Sequence, residues 1–149
     1  MRRSHETGSV LGLIAQCHLT WRRYLQRRLR KHGITLKQYY VLARLSENTS
    51  LQPMKLAELL YCDRPTVSIV IRNMRRKGWV DRSIDAGDAR HIQVVITRAG
   101  REKLSAIRRD DVFAGSELAK PLEIFSQSEI SDLENGLSRL LEHMKQVAG

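Results

Sequence analysis

The chain has 149 residues, about one domain's worth. Hydrophobic residues make up 42% and charged residues 28%, a globular mixture that excludes disorder along the whole length. Twenty-six Lys and Arg against 16 Asp and Glu leave a formal charge of +10, which points to a polyanionic partner, most simply nucleic acid. The longest apolar run, Val10 to Ala15, is far short of the ~20 residues that span a bilayer, so no membrane partner is expected. Arg2 and Arg3 resemble a signal-peptide start, but the stretch after them runs into Gln16, His18 and Arg22, and a cytoplasmic protein is expected. Cys17 and Cys62 make no disulfide framework and fit a reducing compartment.

Charge is unevenly placed. Residues 1–33 carry a net +7, residues 34–63 none, residues 64–109 +8 and residues 110–149 −5. A one-sided basic block inside a segment that reads as folded suggests one surface for an anion, with the acidic end turned elsewhere. Ordinary solvated charge is the plainer alternative.

In chain order, residues 9–31 read as one long helix, with Val10, Ile14, Cys17, Trp21, Tyr24 or Leu25, and Leu29 at helical spacing. Gly33 ends it and Thr35 caps the next helix, where Tyr39, Leu42 and Leu45 share a stripe. Pro53 suits a first turn, followed by Leu56, Leu59 and Leu60. Asp63 is an N-cap for a helix whose inner stripe is Val67, Val70 or Ile71, and Met74, up to Gly78. The period then changes to alternation: Val80, Ile84, Ile92, Val94 and Ile96 read as a hairpin around the polar turn 85–90. Thr97 caps another helix carrying Leu104 and Ile107. Ser126 to Glu129 is a capping-box pattern ahead of a last helix with Ile130, Leu133, Leu137, Leu140 or Leu141, and Met144.

Two short helices, a tight joint at Tyr61-Cys62-Asp63 and a hairpin make a winged helix-turn-helix. The expected class is mostly α with a small β-hairpin wing, flanked by N- and C-terminal helices. With Val67, Ile71 and Met74 inward, Arg64, Pro65, Thr66, Ser68, Ile69, Arg72, Arg75 and Arg76 face out, where a helix can enter the major groove of double-stranded DNA. Thr66 and Ser68 donate or accept, Ile69 suits a thymine methyl, and Arg72 reaches a guanine or a phosphate. Arg75 and Arg76, near the far end, suit phosphate. At the hairpin tip, Arg90 suits the narrow minor groove, with Asp88 fixing its direction by a forked pair. The alternative is an ordinary turn, which Asp and Gly favour anyway.

These segments resemble the MarR family of bacterial transcriptional regulators over nearly the whole chain. The resemblance rests on Leu56-Ala57-Glu58-Leu59-Leu60, Pro65-Thr66-Val67-Ser68, Arg75-Arg76-Lys77-Gly78-Trp79-Val80, the wing 85–90 and Ile96-Thr97-Arg98-Ala99-Gly100. Ile34-Thr35-Leu36-Lys37-Gln38-Tyr39 also looks like that family's second helix. The resemblance implies an obligate homodimer on a pseudo-palindromic operator, with a DNA-binding lobe at 34–98 and dimerisation helices at 9–32 and 99–147. Arg90 matches the family's minor-groove arginine, although Ala89 stands where consecutive basic residues are common.

The resemblance also implies a repressor released by a small aromatic or carboxylate ligand, or by thiol oxidation. A ligand pocket would draw on His18, Trp21, Arg22, Tyr39 and Tyr40; the alternative is that Trp21 and Tyr39 are core. The family's sensor cysteine would fall near Val10, so Cys17 reads as a small core residue instead. Cys62, beside a helix N-terminus and Arg64, is either a redox site or a structural thiol. A nucleic-acid-binding architectural protein without sequence choice is the remaining alternative. No cofactor is expected and no enzyme: the five histidines are scattered, and no metal spacing, phosphate loop or nucleophile elbow occurs.

Overall fold

The computed structural model describes residues 3–85, 88–110 and 120–148, with the side chains of all of these except 3–8, 84, 85 and 88–91. It divides into two compact units, Met1–Val112 and Phe113–Gly149.

In the first unit, α1 spans Arg3–Arg30 and α2 Leu36–Glu47. Gly33 turns the chain between them at φ 61°, a left-handed conformation that favours glycine. Thr35 then closes a full capping box: its hydroxyl accepts from Gln38 N–H at 3.2 Å, and Gln38 Oε1 accepts from Thr35 N–H at 3.1 Å. The helix so fixed supplies the middle of the core, with Leu36, Tyr39, Val41, Leu42 and Leu45 all buried.

The apolar stripe expected along α1 is covered by its own unit only towards the helix's end, with Ile14, Trp21 and Tyr24 partly covered. Only Leu25 and Leu29 are buried, while Val10, Leu11, Leu13 and Leu19 remain 47–56% exposed. Cys17, expected in the core, is exposed. The reason is reach: at 1.5 Å per residue α1 is about 42 Å long, and α2 packs on its last turns only.

Helices α3 (Pro53–Leu59) and α4 (Arg64–Arg76) follow, then strands β1 (Val80–Asp85) and β2 (Asp88–Ile96). The strands pair antiparallel from Val80↔Ile96 to Asp85↔Asp88, with a register shift between Ile84 and Asp85. The expected six-residue turn is therefore shorter: Asp85, Asp88, Ala89 and Arg90 belong to strands, because the ladder continues past the alternating apolar positions. Leu51 adds one unforeseen rung to β2, exchanging both backbone hydrogen bonds with Val94 at 3.0 and 2.8 Å.

Helix α5 (Arg98–Arg109) starts at Thr97, whose hydroxyl accepts from Gly100 N–H at 3.0 Å. It packs Leu104 and Ile107 against the α2 side of the core. At its end, Asp110 lies 2.8 Å from Lys31 Nζ and 2.9 Å from His32 Nε2, joining the end of α5 to the end of α1. Lys31, by hydrogen bond and charge, holds the Asp110 carboxyl below the usual carboxylate range, and His32 adds to this.

In the second unit, a 3-10 turn at Lys120–Leu122 precedes α6 (Gln127–Ala148). The expected box is present: Ser126 N–H donates to Glu129 Oε2 at 2.8 Å, and Ser126 Oγ accepts from Glu129 N–H at 3.4 Å. No residue of α6 is buried, and Leu133, Leu137, Leu141 and Met144 are 43–51% exposed. No helix among the described residues is long and apolar enough to cross a membrane.

Candidate nucleic-acid interface

The site is built around two successive helix ends of the same design. After α3, Cys62 N–H donates to Ala57 O and Tyr61 N–H to Glu58 O, both at 3.1 Å. After α4, Trp79 N–H donates to Met74 O at 3.0 Å and Gly78 N–H to Arg75 O at 2.9 Å. This crossed pair of bonds requires a left-handed residue at the turn. The second end uses Gly78, at φ 70°, as the sequence suggests. The first uses Tyr61, at φ 48° and 78% exposed, which the sequence placed in the joint without marking it as left-handed.

The joint delivers Asp63 as the N-cap of α4. Its Oδ1 accepts from Thr66 N–H at 2.7 Å, and that bond, helped by Lys37, keeps the carboxyl below its ordinary range. Pro65 fits the first turn, where no amide donor is needed. Helix α4 is then split lengthwise. Val67, Ile71 and Met74 are no more than 2% exposed. On the other side Arg64, Pro65, Ser68, Ile69, Arg72, Arg75 and Arg76 are exposed, and Thr66 is partly covered. Arg75 has Asp81 at 3.6 Å. Arg64, Arg72 and Arg76 have no carboxylate within 4.0 Å among the described residues.

Behind α4, Thr97 ties the base of the hairpin down. Its hydroxyl donates to Gly78 O at 2.6 Å and its N–H to Trp79 O at 3.1 Å. Trp79 carries Lys77 Nζ 4.4 Å and Lys103 Nζ 5.3 Å from its ring centre, a cationic pair on one aromatic face system that was not foreseen. Asp88 and Arg90 lie in the first half of β2; their side chains fall outside the described ones.

The expected ligand residues are dispersed. His18 and Arg22 are exposed on α1, and Trp21 stacks on Tyr24 at 5.2 Å. Tyr39 is buried and Tyr40 half-exposed, with ring centres 5.8 Å apart, and burial pushes both phenols up. One depression, of about 390 Å³, lies elsewhere, between the end of α1, the first turn of α2 and Lys77, and another of about 370 Å³ is lined by Tyr24, Arg27, Arg28 and Lys31. No stretch of sequence marked the first, because its residues come from three elements. Cys62 sits partly exposed in the joint, one residue before the α4 cap.

Helix, joint, helix and hairpin in this order define a winged helix-turn-helix protein. The family model "MarR family" matches residues 34–92. The HTH-type transcriptional regulator SarZ of Staphylococcus haemolyticus is 25% identical over 118 residues, 77% of this chain and 75% of that protein. A cysteine-to-serine mutant of E. coli MarR complexed with operator DNA superposes with a TM-score of 0.82 at 22% identity, covering 91% of this chain and 96% of that one. The S. aureus MepR–DNA complex gives 0.79 at 23% identity, over 88% and 95%. Residues 34–92 thus match the MarR family model, and the neighbours share the winged-helix fold of that family.

Proposed function

We propose that the chain is a homodimeric, sequence-specific transcriptional regulator that places α4 in the major groove of a pseudo-palindromic double-stranded DNA operator. The observation that carries this is the lengthwise split of α4, with a sealed apolar side and an exposed side whose Arg64, Arg72 and Arg76 have no carboxylate partner among the described residues. Arg72 and Ile69, midway along that side, read base edges together with Thr66 and Ser68. Arg64, Arg75 and Arg76 hold phosphates, and Arg90, oriented by Asp88, enters the minor groove.

A second copy covers the apolar residues left open on α1 and on α6, and two-fold symmetry then spaces the paired α4 helices about one DNA turn, ~34 Å, apart. The regulator is a repressor, and a small aromatic or carboxylate ligand that prefers a different α4 spacing releases it by population shift. The test is a pair of substitutions read by binding to a selected operator and to random duplex. Arg72→Ala should lose the preference for the operator. Arg76→Ala should weaken both about equally and lower the salt slope by about one. Equal behaviour of the two variants removes Arg72 as the reader, and comparable wild-type affinity for all duplexes refutes sequence-specific binding.

A further inference from the structure

We propose that the first turn of α2 is a second DNA contact on this chain, a seat for a backbone phosphate beside the groove that α4 enters. It rests on the duplex-binding reading above.

Four features meet there. The amides of Leu36 and Lys37 are first-turn donors without an intrahelical acceptor, at the positive end of a 12-residue helix. Gln38, only 6% exposed, lines the depression. Its Oε1 is engaged by Thr35 N–H, whereas its Nε2 has no acceptor among the described residues and keeps some solvent access. Arg30 and Lys77 stand in the wall, and no lining residue is acidic. Lys77 is fixed in place, its Nζ 3.0 Å from Gly33 O and packed over Trp79, and neither cation has a carboxylate within 4.0 Å among the described residues.

Donors and two cations with no acid select an anion. Arg30, Gly33, Thr35 and Lys77 are all exposed, so the seat is open-walled, which suits a strand passing over it more than an enclosed small molecule. Its place fits too. Lys77 both lines the seat and caps the end of α4, so the seat lies beside that end of the reading helix. A duplex holding α4 in its major groove brings its bordering phosphates to that end.

The sharpest test is Gln38→Glu. A glutamate keeps the capping box, because its oxygen accepts the Thr35 N–H as the amide oxygen does, but it removes the donor and adds a charge that repels phosphate. Melting temperature should hold or rise, while affinity for selected operator and random duplex falls alike, by about tenfold at low salt. Arg30→Gln should weaken both duplexes and lower the salt slope by about one. Wild-type affinity and slope in both variants would overturn the proposal. So would a seat that takes only the free anion, seen as stabilisation of the wild type by millimolar inorganic phosphate, lost in Arg30→Gln, with duplex binding untouched. Arg72→Ala, measured alongside, separates the two claims. If it alone alters DNA binding, only the phosphate seat fails; if none of the three does, the duplex-binding reading itself fails.

Discussion

Gly100 occupies the third position of α5, where an alanine would ordinarily help a helix by about 1 kcal/mol. The structure reverses that sign. A Cβ at this position would lie 2.1 Å from Trp79 O, 2.9 Å from Ile96 Cγ1 and 3.0 Å from Trp79 C. Two of these are backbone atoms with no rotamer to yield. To regain a contact near 3.4 Å the start of α5 must retreat by more than ~1 Å. That takes Thr97 N–H, now 3.1 Å from Trp79 O, out of hydrogen-bond range, and strains the 2.6 Å bond from the Thr97 hydroxyl to Gly78 O. One lost bond, one strained bond and disturbed packing at Ile96 amount to about 2–4 kcal/mol, less the helix preference of alanine, or a net 1–3 kcal/mol. At about 2–4 °C per kcal/mol for a chain of this size, Gly100→Ala should melt roughly 2–12 °C lower in calorimetry at fixed protein concentration. Gly136→Ala, with nothing within 4 Å of the added carbon, is the control and should melt no lower than wild type. A Gly100→Ala protein that melts at or above the wild-type temperature refutes the steric argument.

Tyr61→Gly should stabilise the chain by about 0.5–1 kcal/mol in urea titrations, since glycine relieves the left-handed turn at φ 48° and the exposed ring has little packing to lose; a loss of stability would mean the ring is held by something beyond this chain. Because Lys31 and His32 depress the folded Asp110 pKa, its contribution is complete above the unfolded carboxylate value and fades as pH falls through the folded one. Asp110→Asn should therefore lower the melting temperature by a constant amount at neutral pH and converge with wild type below about pH 4; a gap that widens in acid contradicts this. Leu137→Glu, placed on the exposed stripe of α6, should shift the species seen in analytical ultracentrifugation from dimer to monomer, and an unchanged dimer would locate the interface elsewhere.

Much of the fold was legible because its boundaries are chemical. Thr35, Asp63, Thr97 and Ser126 each carry a side chain that can accept a free amide, and each caps the helix it was expected to cap. Gly33 and Gly78 mark left-handed turns for the same local reason. The errors share a different origin. A stripe such as Val10 to Cys17 says which residues seek cover, not whether their own unit supplies it. The Leu51 rung depends on one residue meeting a strand 43 positions later, and a single residue has no period to detect. Gly100 and Gln38 looked like ordinary helix residues; their importance comes from a carbonyl and two cations brought near by the tertiary fold. For the interface, helical spacing separated the two sides of α4, whereas the seat at α2 joins residues from three elements and has no linear signature.

Among the described residues, the hairpin's backbone is tied to the rest of its unit at the base. Leu51, Thr97 and the Gly78–Trp79 turn grip it at Val94 and below, while from Arg82 to Asp85 the only ladder partner of β1 is β2. Mechanically it is a cantilever. A small tilt imposed at its root becomes a larger sweep at the Asp85–Asp88 pair, so a cause that shifts Trp79 by a fraction of an ångström is amplified along the ladder without bending a strand.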